Sequence, residues 1–250
     1  MSRRIDIKYL MLSCDLHIHS TYSRDGEADI ETILNTAPER GLHAIAITDH
    51  DEVAGAQEAI RMARTLTPDL LIIPGIEVST REGHLIVLGI TEMIEAGLSA
   101  RATIKYAHEM NGFVIAPHPF HRCRHGVGRR DSQILLEVDA IEVFNSRYIV
   151  GTIGSDNNRA YRFAEKHHIP KVAGSDAHHA RHIGYGITLV DAEKNISSIL
   201  AAIRDGKTQI DGKKTPLSTY ARQSMKNSWR KVKNIPIHHV LKKGTRYRLK

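Results

Sequence analysis

The chain has 250 residues, 41% of them hydrophobic, 25% charged and 5% aromatic, which is enough to bury an aliphatic core in one large α/β domain or two small ones. No run of 18 apolar residues is present, which excludes a helical membrane span. The only cysteines, Cys14 and Cys123, argue against a disulfide framework and for a reducing cytoplasm. The net charge of +7 averages two opposites: residues 212–250 carry twelve Lys/Arg and no acid, leaving 23 basic and 28 acidic residues, net −5, for the remainder. An acidic body suits carboxylates gathered at a metal site, and a basic tail suits a polyanion.

Residues 1–10 start basic, but Asp6 and Lys8 interrupt an apolar stretch too short for a signal peptide. They are expected to be an extension, with Met11 an alternative start. From there, apolar runs alternate with helical patterns. "YLMLSCDLHIH" reads as a strand, and "DIETILNTAPERG" as a helix between an Asp29 cap and Gly41. "LHAIAITDH" is a strand and "EVAGAQEAIRMARTL" a helix with apolar residues at helical spacing. "DLLIIPGIEVS" and "HLIVLGI" are strands joined by a turn, followed by the helix "SARATIKYAHEMNG". "FVIAPHP" is a strand, "DSQILLEV" a helix, "AIEVFNS" a strand and "GSDNNRAYRFAEKHH" a helix. "KVAGSDAHH", "GYGITLV" and the helix "NISSILAAIRDG" end the series. About seven such βα units predict a mostly parallel sheet covered by helices, open or closed as a barrel. Residues 206–250 lack the alternation, apart from a strand-like "IPIHHVL". The expected divisions are therefore an extension at 1–10, one domain at 11–205 and a basic tail at 206–250.

The strand ends carry the chemistry. His17 and His19 end the first, and Asp49 and His50 the second. Glu77 ends the third and His84 begins the fourth; His118 ends the fifth, and Asp176 and His178 stand at the last of the βα series. Strand residues two apart face one side, so His17/His19 and Asp176/His178 each present two groups together. Imidazole and carboxylate are the usual ligands of Zn, Mn and Fe. Each residue alone has a plain explanation: a satisfied strand-end His, a cap at Glu77, an Asp-Gly turn at Asp25. Six strand ends supplying such groups make a shared site.

"DLHIHSTYSRDG", "GLHAIAITDHD", "IPGIEVS", "IAPHP" and "AGSDAHH" resemble, in order and over roughly residues 12–205, the successive motifs of the PHP (polymerase and histidinol phosphatase) superfamily. Within it the chain is similar to the small stand-alone phosphoesterases. The resemblance implies a distorted seven-stranded (βα) barrel with two or three divalent ions, Mn, Zn or Fe, at the C-terminal strand ends. It implies that His17, His19, Glu77 and Asp176 hold one ion. Glu77 would bridge to a second, completed by His118 and His84, while Asp25, His50 and His178 hold a third. The expected reaction is attack on a phosphate ester by a water that the ions acidify, with Glu77, Asp176 and His178 at its centre. Only 40 residues separate Glu77 from His118, so the lid insertion of some relatives is not expected.

Asp49 is expected to orient a ligand imidazole from behind. A phosphate not held by metal needs arginine. The basic stretch after His118 and the strand "AIEVFN" offer Arg124 and Arg147, with His179 a further candidate. The expected substrate is a nucleotide, bisphosphonucleotide or short nucleic acid, and the tail, with Tyr220, Trp229 and Tyr247 among its cations, is a candidate nucleic-acid contact. The alternatives are a small-metabolite phosphatase of the histidinol-phosphate type, and a non-catalytic nucleic-acid-binding module with a relict metal site.

Overall fold

The computed structural model describes residues 11–122, 124–147 and 155–215. The extension at 1–10, Cys123, the strand-like stretch at 235–241 and the tail from 216 onward lie outside the described residues.

Among the described residues, nine strands form one sheet: β1 (Leu12–Ile18), β2 (Ala44–Ile47), β3 (Leu71–Ser79), β4 (His84–Leu88), β5 (Phe113–Ala116), β6 (Ala140–Asn145), β7 (Lys171–Gly174), β8 (Gly186–Val190) and β9 (Thr208–Gly212). Their order is β7-β6-β5-β4-β3-β2-β1-β8-β9. The seven strands expected of the barrel follow one another in chain order, and the end of β7 returns to β1. Ala177 bridges Ile18, and the His19 N–H donates to the Ala177 carbonyl at 2.9 Å. At the other end, β8 pairs with β1 and the Thr188 hydroxyl links β8 to the Ala173 N–H and carbonyl of β7, at 2.8 and 2.9 Å. The β8–β9 pair is thus a wedge between the first and seventh strands of a nearly closed barrel.

Two expectations change. The sheet is less parallel than the βα pattern implied: β3/β4, β4/β5, β1/β8 and β8/β9 are antiparallel. Only four residues join β3 to β4, too few for a parallel crossover, so β4 runs backwards between two upward strands. The start of β4 therefore lies beside the C-terminal ends of its neighbours, which is where His84 stands. The expected helix in "DSQILLEV" is a short 3-10 turn, Ser132–Leu136, preceded by the four-residue helix α4 (Val127–Arg130). The sheet also continues past residue 205 into β9, and the Thr215 N–H donates to the Ser146 carbonyl at 2.8 Å.

The other helices follow their sequence signals. α1 (Ile30–Glu39) starts at Asp29, whose carboxylate accepts from Thr32 N at 2.7 Å, and buries Ile30, Ile33, Leu34 and Ala37. α2 (Ala54–Leu66) buries Ala56, Ala59 and Ala63, small side chains that permit close approach to the sheet. α3 (Ala100–Glu109) is capped by Ser99 and α6 (Ile196–Arg204) by Asn195; α5 spans Ser155–His167. None of the described helices is long and apolar enough to cross a membrane.

The barrel interior has two halves. In the lower half Cys14, Leu16, Ile73, Ile86, Ile115 and Ala140 pack together with Ile199 and Ile203 of α6, which closes that end. The upper half is polar, and two bulges create it. In regular alternation Ile18 would share the face of Leu16. The register shifts between Asp15 and Ile18, and Ile18 instead packs outward with Ile33, Leu34 and Ile45. His17 and His19 are thereby both turned inward. A second shift between Glu142 and Phe144 lets Glu142 and Asn145, three apart, meet on the inner side of β6.

Candidate metal centre

Glu77 is the middle of the polar half. It is 1% exposed, and its two oxygens face different imidazoles. Oε2 lies 3.4 Å from His17 Nε2, 3.2 Å from His19 Nε2 and 3.2 Å from His50 Nδ1. Oε1 lies 3.0 Å from His84 Nδ1 and 3.1 Å from His118 Nε2. Asp176 Oδ1 approaches His17 Nε2 and His19 Nε2 at 3.9 and 3.7 Å, and His178 Nδ1 at 3.3 Å. Asp25 Oδ2 stands 3.1 Å from His178 Nε2.

All nine residues expected to ligate are therefore in one cluster. Their donor atoms fall into four overlapping groups, each within 4.8 Å: His19/Asp25/His50/His178, His17/His19/Glu77, His17/His118/Asp176 and His50/Glu77/His84. These groups overlap the three sets implied by the resemblance, with His17, His19, His50 and Glu77 each in two of them. The donor set fits divalent ions. His17 Nε2 and His19 Nε2 lie 3.1 Å apart and 3.4 and 3.2 Å from Glu77 Oε2, a convergence of imidazole nitrogens and a carboxylate oxygen of the kind that holds a divalent ion. His118 (φ 32°) and Asp176 (φ 51°) hold left-handed backbone, a strain typical of functional positions.

The charges reinforce one another. Burial alone would raise Glu77, but His50, His84, His17 and a hydrogen bond from His118 hold it well below the usual carboxylate range. Burial likewise opposes the ionisation of Asp176 and Asp25, and is outweighed at Asp176 by Arg124, His17, Arg147 and His178, and at Asp25 by His178, His19 and His50. Burial drives His50 down to about 4 and His178 to about 3, which keeps these rings neutral and able to ligate near pH 7. His17 and His84 move the opposite way: burial lowers them, but Asp176, Glu142 and Glu77 raise His17, and Glu77 raises His84.

The supporting residues differ in part from expectation. Asp49 is fully buried but bonds no imidazole. Its carboxylate accepts from Ser20 N (2.6 Å), Ser20 Oγ (2.6 Å) and Ser23 N (3.2 Å), which folds the loop after β1. Ser23 Oγ in turn lies 3.1 Å from His19 Nδ1 and accepts from His50 N at 2.8 Å. Asp49 thus acts one residue further back than expected. Arg124 and Arg147 do reach the cluster. Arg124 Nη1 bonds Asp176 Oδ2, and Arg147 Nη1 lies 3.2 Å from Asp176 Oδ1. His179 turns aside to Glu27, at 3.4 Å. A cleft with about 230 Å³ of empty space opens beside the cluster, lined among others by His118, His121, Asn145, Arg147 and Asp156.

Sequence reasoning missed Glu142 and Asn145. Both sit in "AIEVFN", where two-residue alternation puts them on opposite faces and the bulge puts them together.

Among known proteins, the family model described as PHP-associated matches residues 154–208. An uncharacterised protein of Methanocaldococcus jannaschii is 32% identical over 154 residues, 58% of this chain and 88% of that protein. The phosphoribosyl 1,2-cyclic phosphate 1,2-diphosphodiesterase of Eggerthella lenta is 38% identical over 84 residues, 31% of each chain. The 5'-3' exoribonuclease Rnm of Salmonella typhimurium is 39% identical over 80 residues, 30% of this chain and 27% of that one. The alignments thus span about a third or less of these two named enzymes. A crystal structure of a two-domain protein from Bacteroides vulgatus, described as containing a predicted PHP-like metal-dependent phosphoesterase, superposes with a TM-score of 0.65 at 19% identity, over 81% of this chain and 65% of that one. The barrel, the ordered motifs and these relatives agree: the chain belongs to the PHP superfamily of phosphoesterases.

Proposed function

We propose that this protein hydrolyses phosphate esters with two or three divalent ions, Mn, Zn or Fe, held by His17, His19, Asp25, His50, Glu77, His84, His118, Asp176 and His178. The observation that carries the reading is Glu77, one buried carboxylate whose separate oxygens face separate sets of imidazoles. Ions bound there would supply an acidified water and would neutralise phosphate oxygens. The chain's own residues do the rest. Arg124 and Arg147, bonded to Asp176, offer guanidinium groups beside the cleft for the non-reacting oxygens of a phosphate. Asp176 holds both arginines, and the His178 ring lies against the Arg147 guanidinium. The strained backbone at His118 and Asp176 sets the angles of both side chains.

The substrate we favour is a nucleotide, a bisphosphonucleotide or the end of a short nucleic acid, acted on in the cytoplasm. The likeness to an exoribonuclease and the basic composition of residues 212–250 support it. A small phosphorylated metabolite is the second reading, supported by the likeness to a cyclic phosphodiesterase and by the modest cleft. The test is turnover by the purified full chain with Mn²⁺, across phosphomonoesters including histidinol phosphate, bisphosphonucleotides, a cyclic phosphate of a sugar, and short RNA and DNA. Metal-dependent release of phosphate or nucleotide from at least one is expected. No turnover of any would remove the enzyme reading and leave the relict binding module.

A further inference from the structure

Glu142 is 2% exposed on β6, and its two oxygens have different partners. Oε2 accepts from the His118 backbone N–H at 2.7 Å and from Asn145 Nδ2 at 2.8 Å. The Asn145 amide is oriented from its other side, because Oδ1 accepts from Arg124 Nη1 at 3.2 Å and from Arg147 N at 3.0 Å. Both groups at Oε2 are therefore donors. Oε1 lies 3.0 Å from His17 Nδ1, while Nε2 of the same ring points into the cluster toward Glu77 and His19. A carboxylate at Nδ1 keeps the ring proton there and leaves the lone pair of a neutral ring on Nε2. The contact is built in tightly. A Cβ at Gly174 would overlap both Glu142 Oε1 and the His17 Cβ.

We propose that Glu142 is a positioning residue of the metal centre. It fixes the tautomer and angle of His17 so that Nε2 ligates, and through the His118 N–H it holds the backbone of a second ligand. This rests on the cluster being a metal centre, and its consequence is specific. In Glu142→Gln, the carbonyl oxygen must take the Oε2 side, because two donors point there. The amide NH₂ is then forced onto His17 Nδ1, which becomes an acceptor. The ring proton moves to Nε2, the nitrogen needed for the metal. Glu142→Ala removes the carboxylate without dictating the tautomer. The closest isostere is therefore the worse substitution.

The test titrates the full-length wild type and both variants, stripped of metal, with Mn²⁺ by calorimetry, and follows their metal-free thermal unfolding. Affinity should fall on the order of 10-fold for Glu142→Ala and on the order of 100-fold for Glu142→Gln. The ¹⁵N spectrum of the wild type loaded with Zn²⁺ should show the His17 proton on Nδ1. Binding by Glu142→Gln equal to wild type, binding weaker in Ala than in Gln, or a proton on His17 Nε2 in the Zn²⁺-loaded wild type would overturn the proposal. Should a variant fail to fold, the wild-type tautomer decides alone. A wild type that takes up neither ion would instead overturn the metal-centre reading itself.

Discussion

Five imidazoles share one carboxylate at Glu77, so its charge is the least replaceable in the cluster. Glu77→Gln should lower the number of bound ions and cut kcat/KM at least 100-fold, about 3 kcal/mol or more of lost transition-state stabilisation. Elemental analysis alongside the rate assay checks both. Asp25 lies at the edge of the cluster, with His178 as its near partner. Asp25→Ala should remove one ion from the bound set while the ion at His17 and His19 stays, and loss of every ion at once would contradict that division. Proton linkage adds a third expectation. The folded pKa values of His50, His178, His121 and His182 are depressed to about 4, 3, 3 and 4, with burial the largest cause of each. Groups of this kind stabilise above their unfolded value, roughly 6.5, and that stability is lost as pH falls toward the folded values. His17 and His84 are raised, so their contribution is complete below 6.5 and is lost at higher pH. Metal-free protein should therefore unfold at its highest temperature near pH 6.5–7. The midpoint should fall steadily toward pH 4, by roughly 2–4 °C per kcal/mol, as calorimetry at a series of pH values would show.

Among the elements, the strand ends were legible because imidazoles and carboxylates are chemically unusual there. His17, His19, Glu77, His118 and Asp176 each interrupt an apolar or Gly/Pro/Ser context. What could not be read was the phase of the strands. Counting by twos from Leu16 reaches Ile18, yet the bulge sends Ile18 outward and His17 inward. The same slip in β6 hid Glu142 and Asn145. The antiparallel course of β4 was hidden because periodicity reports which face a residue takes, not which way its strand runs. Asp49 shows a further limit: sequence adjacency to His50 suggested contact with that ring, but the carboxylate folds the loop after β1 instead. Asp49→Ala would strand the buried Ser20 N–H and hydroxyl, while the Ser23 N–H keeps the Ser20 carbonyl. It should cost about 1–3 kcal/mol in urea unfolding of the metal-free protein, and should also weaken metal binding through Ser23.

For the whole molecule, the barrel does not end with the last βα unit. β9 pairs along all of β8, and Ser146 Oγ lies 3.1 Å from Thr215 Oγ1. A chain ended after residue 215 should therefore keep its unfolding temperature and its hydrolysis of small phosphomonoesters. A chain ended at 205 should lose several degrees, since β8 is left with an unpaired edge. The first truncation also tests the basic tail. If binding of a short oligonucleotide and its dependence on salt are unchanged without residues 216–250, those cations do not contact the strand.

The bulge in β1 has one more consequence. It is a phase slip between an aliphatic lower half, which closes on α6, and a polar upper half, which carries His17 and His19, whereas the β6 slip lies higher, between Glu142 and Phe144. Because the slip absorbs the mismatch, the lower and upper parts of β1 are not locked to a common alternation. A residue inserted in β1 below the bulge should therefore disturb the Cys14 and Leu16 packing before it disturbs His17 and His19. The first strand is divisible at its waist, at a single residue rather than at a domain boundary.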